Sequence, residues 1–399
     1  MENRKQILSW CLYDFANSSY SSVIAAVIFP VYFVKGIAPD PLVGDLWWGR
    51  AISLSMAFVA VTSPFVGGLA DNAGKRKAML FFYTLLCVIS VGLLAFVERG
   101  MILETVLLVV LANVGMEGAL VFYNSYLPEL VPYQFRGRIS GWGFGLGYAG
   151  SILALLLALF LMKAGRVTLI WPMVSLFFFL FSLPAFLSLS GGGGGYSPKI
   201  ALLKGLRETC SAVREILARR DARMFLLSYF FYKDGVNTII IFSSIYASVT
   251  LSFSMQELVF LYLLVQFTAM AGSFLLAGMT DRLGPRQMIR GLLVFWIVVT
   301  AAAYFIHDKG LFWGIAIAAG GGLGVIQAAS RAFYSRFITE GEEGKYFGVY
   351  ALTGKTSAIL GPILFGSISS VTGSQRYAVL SIVLFFIIGL SLFSGIRER

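Results

Sequence analysis

The sequence predicts an all-α membrane protein with twelve transmembrane helices in two pseudo-symmetric bundles of six. Three observations carry this. The 399-residue chain is 58% hydrophobic and only 13% charged, too little polar surface to cover a soluble core. Its apolar residues fall in runs of roughly 18 to 25, the length a helix needs to cross a bilayer. A charged, glycine-bearing turn occurs twice between such runs: Gly68-Leu69-Ala70-Asp71-Asn72-Ala73-Gly74-Lys75-Arg76-Lys77, and 210 positions later Gly278-Met279-Thr280-Asp281-Arg282-Leu283-Gly284-Pro285-Arg286-Gln287. Two related halves around a central cavity is the plan of a secondary transporter.

The first bundle, residues 1–189, holds spans expected at 8–34, 47–69, 79–97, 104–125, 141–163 and 169–189. Solid apolar stretches such as 151–162 exclude a β-barrel, whose strands alternate polar and apolar residues. Span 1 is too long for a cleavable leader and contains Asp14 and Asn17. Span 5 opens with the pairs Gly141/Gly145 and Gly143/Gly147, a spacing that lets helix backbones approach closely. Residues 190–222 form a cytoplasmic linker. Its run Gly191–Gly195 reads as flexible chain, native or introduced. Ile200, Leu203, Leu206, Val213, Ile216 and Leu217 then mark an apolar face bordered by basic residues, an amphipathic helix for the inner leaflet or for a partner. The second bundle, residues 223–399, holds spans expected at 224–249, 257–278, 289–306, 311–333, 347–370 and 377–395. Span 11 carries Gly348, Gly354 and Gly361-Pro362, a second thinly padded surface for close packing.

The repeat extends past the turn. Asp14 and Asn17 in span 1 match Asp234 and Asn237 in span 7, each pair three apart and so on one helix face. Gly137-Arg138-Ile139-Ser140-Gly141 before span 5 matches Gly344-Lys345-Tyr346-Phe347-Gly348 before span 11.

The net charge of +11 reflects topology rather than nucleic-acid binding. Of the 31 Lys and Arg residues, seven (Lys35, Arg50, Arg99, Lys163, Arg166, Lys309, Arg376) fall on outer segments, and Lys233 and Lys355 fall within spans. The others, with Arg331 counted at the inner end of span 10, fall on alternate segments, which the positive-inside rule places in the cytoplasm with both termini. The protein is expected in a bacterial inner membrane, its basic loops facing anionic lipid. Cys11, Cys87 and Cys210 have neither metal-ligand spacing nor an expected disulfide. The only histidine, His307, falls on an outer loop. No cofactor is expected. No nucleophile–base pair marks an enzyme.

Charge inside a span is costly and marks function. Asp14, Glu117, Lys233, Asp234, Arg331 and Lys355, with Gln327, come from five helices. Counting about 1.5 Å per residue puts them in one inner slab of the membrane. They either pair to hold helices together or bind solute and protons, and their convergence favours binding. The candidate site is Asp14, Asn17, Glu117, Asp234, Asn237, Gln327, Arg331 and Lys355. Asn113, Tyr123, Asn124 and Tyr126 either bridge helices or bond a solute. The repeated turn gives a candidate conformational latch: Gly68, Asp71, Gly74 and Arg76, with Gly278, Asp281, Gly284 and Arg286. In it each aspartate favours a helix N-terminus of the opposite half.

The Gly-x-x-x-Asp-x-x-Gly-[Lys/Pro]-Arg turn resembles motif A of the major facilitator superfamily. Within it, Trp10–Ser18, Tyr123–Glu129, Gly322–Arg331 and Phe347–Lys355 resemble the Atg22-like vacuole effluxer branch. Asn72 departs from the usual basic residue of the motif. The resemblance implies alternating access through a cavity lined by spans 1, 4, 7 and 10. It also implies an amino acid as leading substrate, while the in-span carboxylates, as groups that titrate, point to protons as coupling partner, and a monomer is the expected working state. A zwitterion would set its ammonium on Asp14 or Asp234 and its carboxylate on Lys355 or Arg331. Two alternatives remain: an exporter or flippase of amphipathic compounds, and a non-transporting receptor on a transporter fold.

Overall fold

A computed structural model describes residues 2–131, 133–191, 195–275, 283–337 and 343–396. Helices form where the sequence is continuously apolar, because helices satisfy every backbone group internally. In chain order they are α1 (Glu2–Ser19), α2 (Pro41–Asn72), α3 (Arg76–Leu93), α4 (Ile102–Ser125), α5 (Tyr133–Lys163), α6 (Ile170–Ser188), α7 (Pro198–Ala218) and α8 (Arg220–Val249). Then come α9 (Met255–Leu275), α10 (Pro285–Phe305), α11 (Lys309–Tyr334), α12 (Glu343–Thr356), α13 (Leu360–Thr372) and α14 (Gln375–Ser394). Span 1 continues past α1 to Ile37 through two wider π-helical stretches, Tyr20–Val27 and Phe33–Ile37. They bracket Pro30, which has no amide to give to a regular helix. Eleven segments among the described residues are long and apolar enough to cross a membrane. A twelfth, α8, has 30 residues but carries Lys233 and Asp234 near its middle.

Two boundaries differ instructively from expectation. Span 2 begins at Pro41, not 47. Asp40 Oδ1 accepts from the Leu42 and Val43 amides at 2.9 and 3.0 Å, and Pro41 takes the first helical position, where its missing amide costs nothing. Asp45 therefore lies inside the helix. Span 11 is two helices, α12 and α13, broken at residues 357–359. Pro362 cannot donate to Ala358, and its ring crowds that carbonyl, so the helix ends one turn earlier.

The chain divides into two compact units. One comprises Met1–Pro39 with Leu54–Glu208, the other Asp40–Ser53 with Thr209–Arg399. Helices α2 and α7 thus each contribute to both units. Within the first unit α3 packs on α4, α1 on α5 and α6, and α3 on α6. Within the second, α10 packs on α11, α8 on α12, α13 and α14, and α10 on α14. These are the same four span pairings repeated, as the sequence repeat requires.

The repeated turn has a shared backbone cause. Gly74 and Gly284, 210 apart, adopt positive φ of 64° and 78°, a region closed to most side chains. Each redirects the chain just before α3 or α10. Gly278 and Asp281, and the Gly192–Gly194 core of the glycine run, lie outside the described residues. The Asp71 side chain does too.

Helix α7 forms where the amphipathic pattern places it. Its buried face, however, runs through Ala201, Gly205, Ala212 and Ile216. Ile200, Leu203 and Leu217, assigned to the apolar face from sequence, are exposed. The small residues are inside because α7 crosses α2 backbone to backbone. A Cβ on Gly205 would lie 2.6 Å from the Pro64 carbonyl oxygen and 2.7 Å from the Gly68 nitrogen.

Candidate functional site

Asp14 sits on α1, half-buried. Asn17 Nδ2, one turn on, donates to Asp14 Oδ1 at 3.3 Å, so the pair predicted to share a face does touch. The Tyr123 ring from α4 stacks on Trp10 with centroids 4.5 Å apart and planes 7° from parallel. Trp10 Nε1 donates to the Tyr123 carbonyl at 3.0 Å, and Tyr13 also stacks on Tyr123, with centroids 5.2 Å apart. These rings and the indole bond hold Tyr123 beside Asp14. Asp14 Oδ2 and Tyr123 Oη lie 2.9 and 3.3 Å from where a Cβ on Gly143 would sit. Only glycine leaves room for both.

That glycine belongs to the stripe anticipated in span 5. Gly143, Gly147 and Gly150 face α1: a Cβ on Gly147 would come within 2.8 Å of Ser18 Oγ, and one on Gly150 would overlap the Phe15 backbone. Gly145, by contrast, faces open space, so its side of α5 is not the packing surface. Ser18 Oγ donates to the Asp14 carbonyl at 2.8 Å. Asn113 is used for bridging: its Nδ2 donates to Ser55 Oγ at 2.7 Å, and its Oδ1 accepts from Tyr20. Glu117 is half-buried on α4.

In the second unit Asp234 is fully buried on α8. Both its carboxylate oxygens accept from the Gly361 amide at 3.0 Å. Thr238 Oγ1 lies 3.5 Å from Oδ1 and donates to the Asp234 carbonyl at 2.8 Å. Asn237 is half-buried. Gln327 and Arg331, four apart on α11, are both exposed on one face, and Lys355 is half-buried at the end of α12. The structure thus joins Asp14 with Asn17, and sets Gln327 beside Arg331 in sequence register.

At the end of the first unit that carries the repeated turn, Arg76 is buried and pairs with Glu129 at 2.6 Å. Its guanidinium lies 5.1 Å from the Tyr126 ring centroid, and Tyr126 Oη donates to the Ser190 carbonyl at 2.7 Å. Two motifs read separately in the sequence meet here. In the second copy Arg286 donates to the Ile396 carbonyl.

One buried carboxylate escaped the sequence survey. Asp45 is fully buried, accepts from Gln375 Nε2 at 3.0 and 2.8 Å and from Ser369 Oγ at 2.6 Å. Gln375 Oε1 in turn accepts from Thr250 Oγ1 at 2.7 Å. The Asp40-Pro41 helix start was the signal that placed it within a span.

The geometry so far is two repeated units, each with an aspartate on its first helix facing a glycine on its fifth. A family model described as "Vacuole effluxer Atg22 like" matches residues 50–137 and 132–399. This chain belongs to the Atg22-like vacuole effluxer family. An uncharacterized MFS-type transporter of Bacillus subtilis, YxiO, is 29% identical over 99% of this chain and 95% of its own length. Autophagy-related protein 22 of Kluyveromyces lactis is 24% identical over 86% of this chain and 78% of its own. Among solved structures, a bacterial homolog of the lysosomal transporter Spinster superposes with a TM-score of 0.71 at 15% identity, covering 98% of this chain and 95% of that one. The nucleoside transporter NupG superposes with a TM-score of 0.71 at 13% identity, covering 100% and 99%. The fold is that of the major facilitator superfamily, and the Atg22-like protein is a multi-pass membrane transporter, not an enzyme.

Proposed function

We propose that this transporter moves a small polar solute, an amino acid first among candidates, by alternating access coupled to protons, with Asp14 as the coupling and binding carboxylate. The single observation behind this is a carboxylate in the first span that is half-buried, accepts from the neutral Asn17 and lies beside the neutral Tyr123 phenol. Such a group is costly in a membrane without a task, and it retains acceptor capacity for a proton or an ammonium group. Cys11 and Tyr13, on its own helix, are the further titratable groups close to it. Glu117, Gln327, Arg331 and Lys355 supply the other polar contacts, Arg331 or Lys355 taking the solute's carboxylate. The bundles 1–189 and 223–399 act as the two rocking halves, joined by 190–222, in a monomer with cytoplasmic termini. The repeated turns, through Asp71 and Asp281, latch the inner side.

The test is uptake into proteoliposomes of a panel of amino acids, nucleosides and lysolipids, with and without an imposed pH gradient. At least one amino acid should accumulate with the gradient, and Asp14→Asn should abolish the gradient dependence. Gradient-driven uptake that survives Asp14→Asn, or uptake of lysolipids alone, would overturn the proposal.

A further inference from the structure

The repeat places an aspartate on the first helix of each unit, yet the two meet different chemistry. Asp14 faces Gly143 inside α5, a continuous helix whose amides are already committed to the helical ladder. Asp234 faces Gly361 at the second residue of α13, where the amide has no partner within its own helix. The break that frees this amide is itself built. Pro362 removes one ladder bond, and the carbonyl of Ile359 accepts from Ser53 Oγ at 2.7 Å. Asp234 takes the Gly361 amide with both oxygens, and the Leu360 amide also faces it. A carboxylate at this place answers both the free amides and the positive end of α13. Room for it depends on glycine: a Cβ on Gly361 would overlap Thr238 Oγ1 and come within 2.5 Å of Asp234 Oδ1. The Phe242 and Phe365 rings, 4.1 Å apart and nearly parallel, extend the α8–α13 contact. On the other side of the break, α12 meets α8 through different groups: Tyr350 stacks on Tyr229 at 4.4 Å, and Gly354 sits against the Tyr229 hydroxyl.

We propose that the two repeat-related aspartates have divided roles, and that Asp234 is a positioning residue that pins α13 to α8 and so fixes a hinge at residues 357–359 of the eleventh span. It carries neither solute nor protons. The pin is a carboxylate-to-backbone contact, which sets direction and distance. The contact between α8 and α12 runs through side chains, Tyr350 on Tyr229, and side chains can turn where a bond to backbone cannot. The eleventh span therefore bends at one defined place, with α13 moving as part of the α8 body. The division of roles rests on the reading of Asp14 as the coupling carboxylate; the Asp234 pin does not, and its test reads no transport.

The test is hydrogen–deuterium exchange on the full-length, detergent-purified protein, following the peptide that contains residues 357–363, in Asp234→Ala and Asp234→Asn. Loss of the acceptor in Asp234→Ala should raise exchange at Leu360 and Gly361 about tenfold or more. Peptides from α5 and α10 should stay as in the parent. The carboxamide oxygen of Asp234→Asn still accepts, so this variant should exchange within about threefold of the parent. Should Asp234→Ala not fold, Gly361→Ala takes its place, since the added methyl displaces the carboxylate and should give the same local rise. Unchanged exchange in Asp234→Ala or its stand-in would overturn the pin. Exchange in Asp234→Asn as fast as in Asp234→Ala would show that a neutral acceptor cannot hold the Leu360 and Gly361 amides, and would overturn the pin as a hydrogen-bond contact.

Discussion

Two adjacent glycines on α2 should respond to alanine with opposite signs. Gly67 has no atom within 4 Å of where a Cβ would sit. Alanine there gains helix propensity, about 1 kcal/mol at most in a helix interior. Gly68 gains the same propensity, but its methyl would lie 2.8 Å from the Gly205 Cα and 3.0 Å from the Gly205 nitrogen. Carbon atoms in contact sit about 3.5–4.0 Å apart, so α7 must retreat by roughly 1 Å. Overpacking of this kind costs about 1–3 kcal/mol. Because the obstruction is backbone on both sides, which no rotamer change relieves, the upper value applies. The net effect at Gly68 is then about 2 kcal/mol of destabilisation, set against up to about 1 kcal/mol of stabilisation at Gly67. Thermal unfolding followed with a thiol-reactive dye reads this directly, since Cys11 and Cys87 are buried and Cys210 is exposed. The Gly68→Ala midpoint should fall by several degrees, and that of Gly67→Ala should hold or rise. Gly205→Ala should match Gly68→Ala, and the double variant should cost little more than either single one, because once α7 has lifted the second methyl meets nothing. Equal midpoints for Gly67→Ala and Gly68→Ala, or full additivity of the two crossing variants, would refute the argument.

Two other predictions follow from buried charge. Asp45→Ala leaves the Gln375 amide and the Ser369 hydroxyl without their acceptor in a buried site, a loss of about 1–3 kcal/mol for each stranded group. Asp45→Asn, which keeps one carbonyl oxygen, should lose less in the same melt, and equal losses would show that hydrogen bonding is not what the carboxylate supplies. At the Arg76–Glu129 pair the glutamate is about half exposed and the arginine buried. Glu129→Gln should therefore cost under about 1 kcal/mol, as exposed pairs do. Arg76→Ala should cost more, by losing its stacking on Tyr126 and its packing as well as its charge. A double-mutant cycle separates these contributions, and a larger loss from Glu129→Gln than from Arg76→Ala would reverse the assignment.

The spans were legible because lipid imposes a length and forbids unsatisfied backbone, so each one is written locally in the sequence. The Asp14–Asn17 face was legible because three residues set a helix face without reference to anything distant. Asp45 was missed for a local reason that could have been seen: hydropathy dims at Pro41–Asp45, while the Asp40-Pro41 capping signal says the helix has begun. The Gly361-Pro362 pair was visible but was read as a packing surface. It is that, since Gly361 touches Thr238, but it is also the site of a break. What could not be read is that the freed amide finds a carboxylate 127 residues earlier in the chain. Glycine stripes were over-read for the same reason. Gly145 and Gly348 face open space while Gly143, Gly150 and Gly366 lie against backbone or buried side chains, and spacing alone does not say which face of a helix has a neighbour.

Repetition in the sequence fixes which helices pair, but it leaves the use of each polar group to the backbone it meets. Both units pair their first span with their fifth, and both set an aspartate at the crossing. In the first unit the partner helix passes the crossing unbroken, so no amide is free to satisfy the carboxylate, and it remains half-buried with Asn17 and Tyr123 beside it. In the second, one proline a residue beyond the crossing frees an amide, and the carboxylate is consumed by it. The asymmetry between Pro362 and the unbroken α5 is therefore the feature on which the proposed division of roles between Asp14 and Asp234 rests.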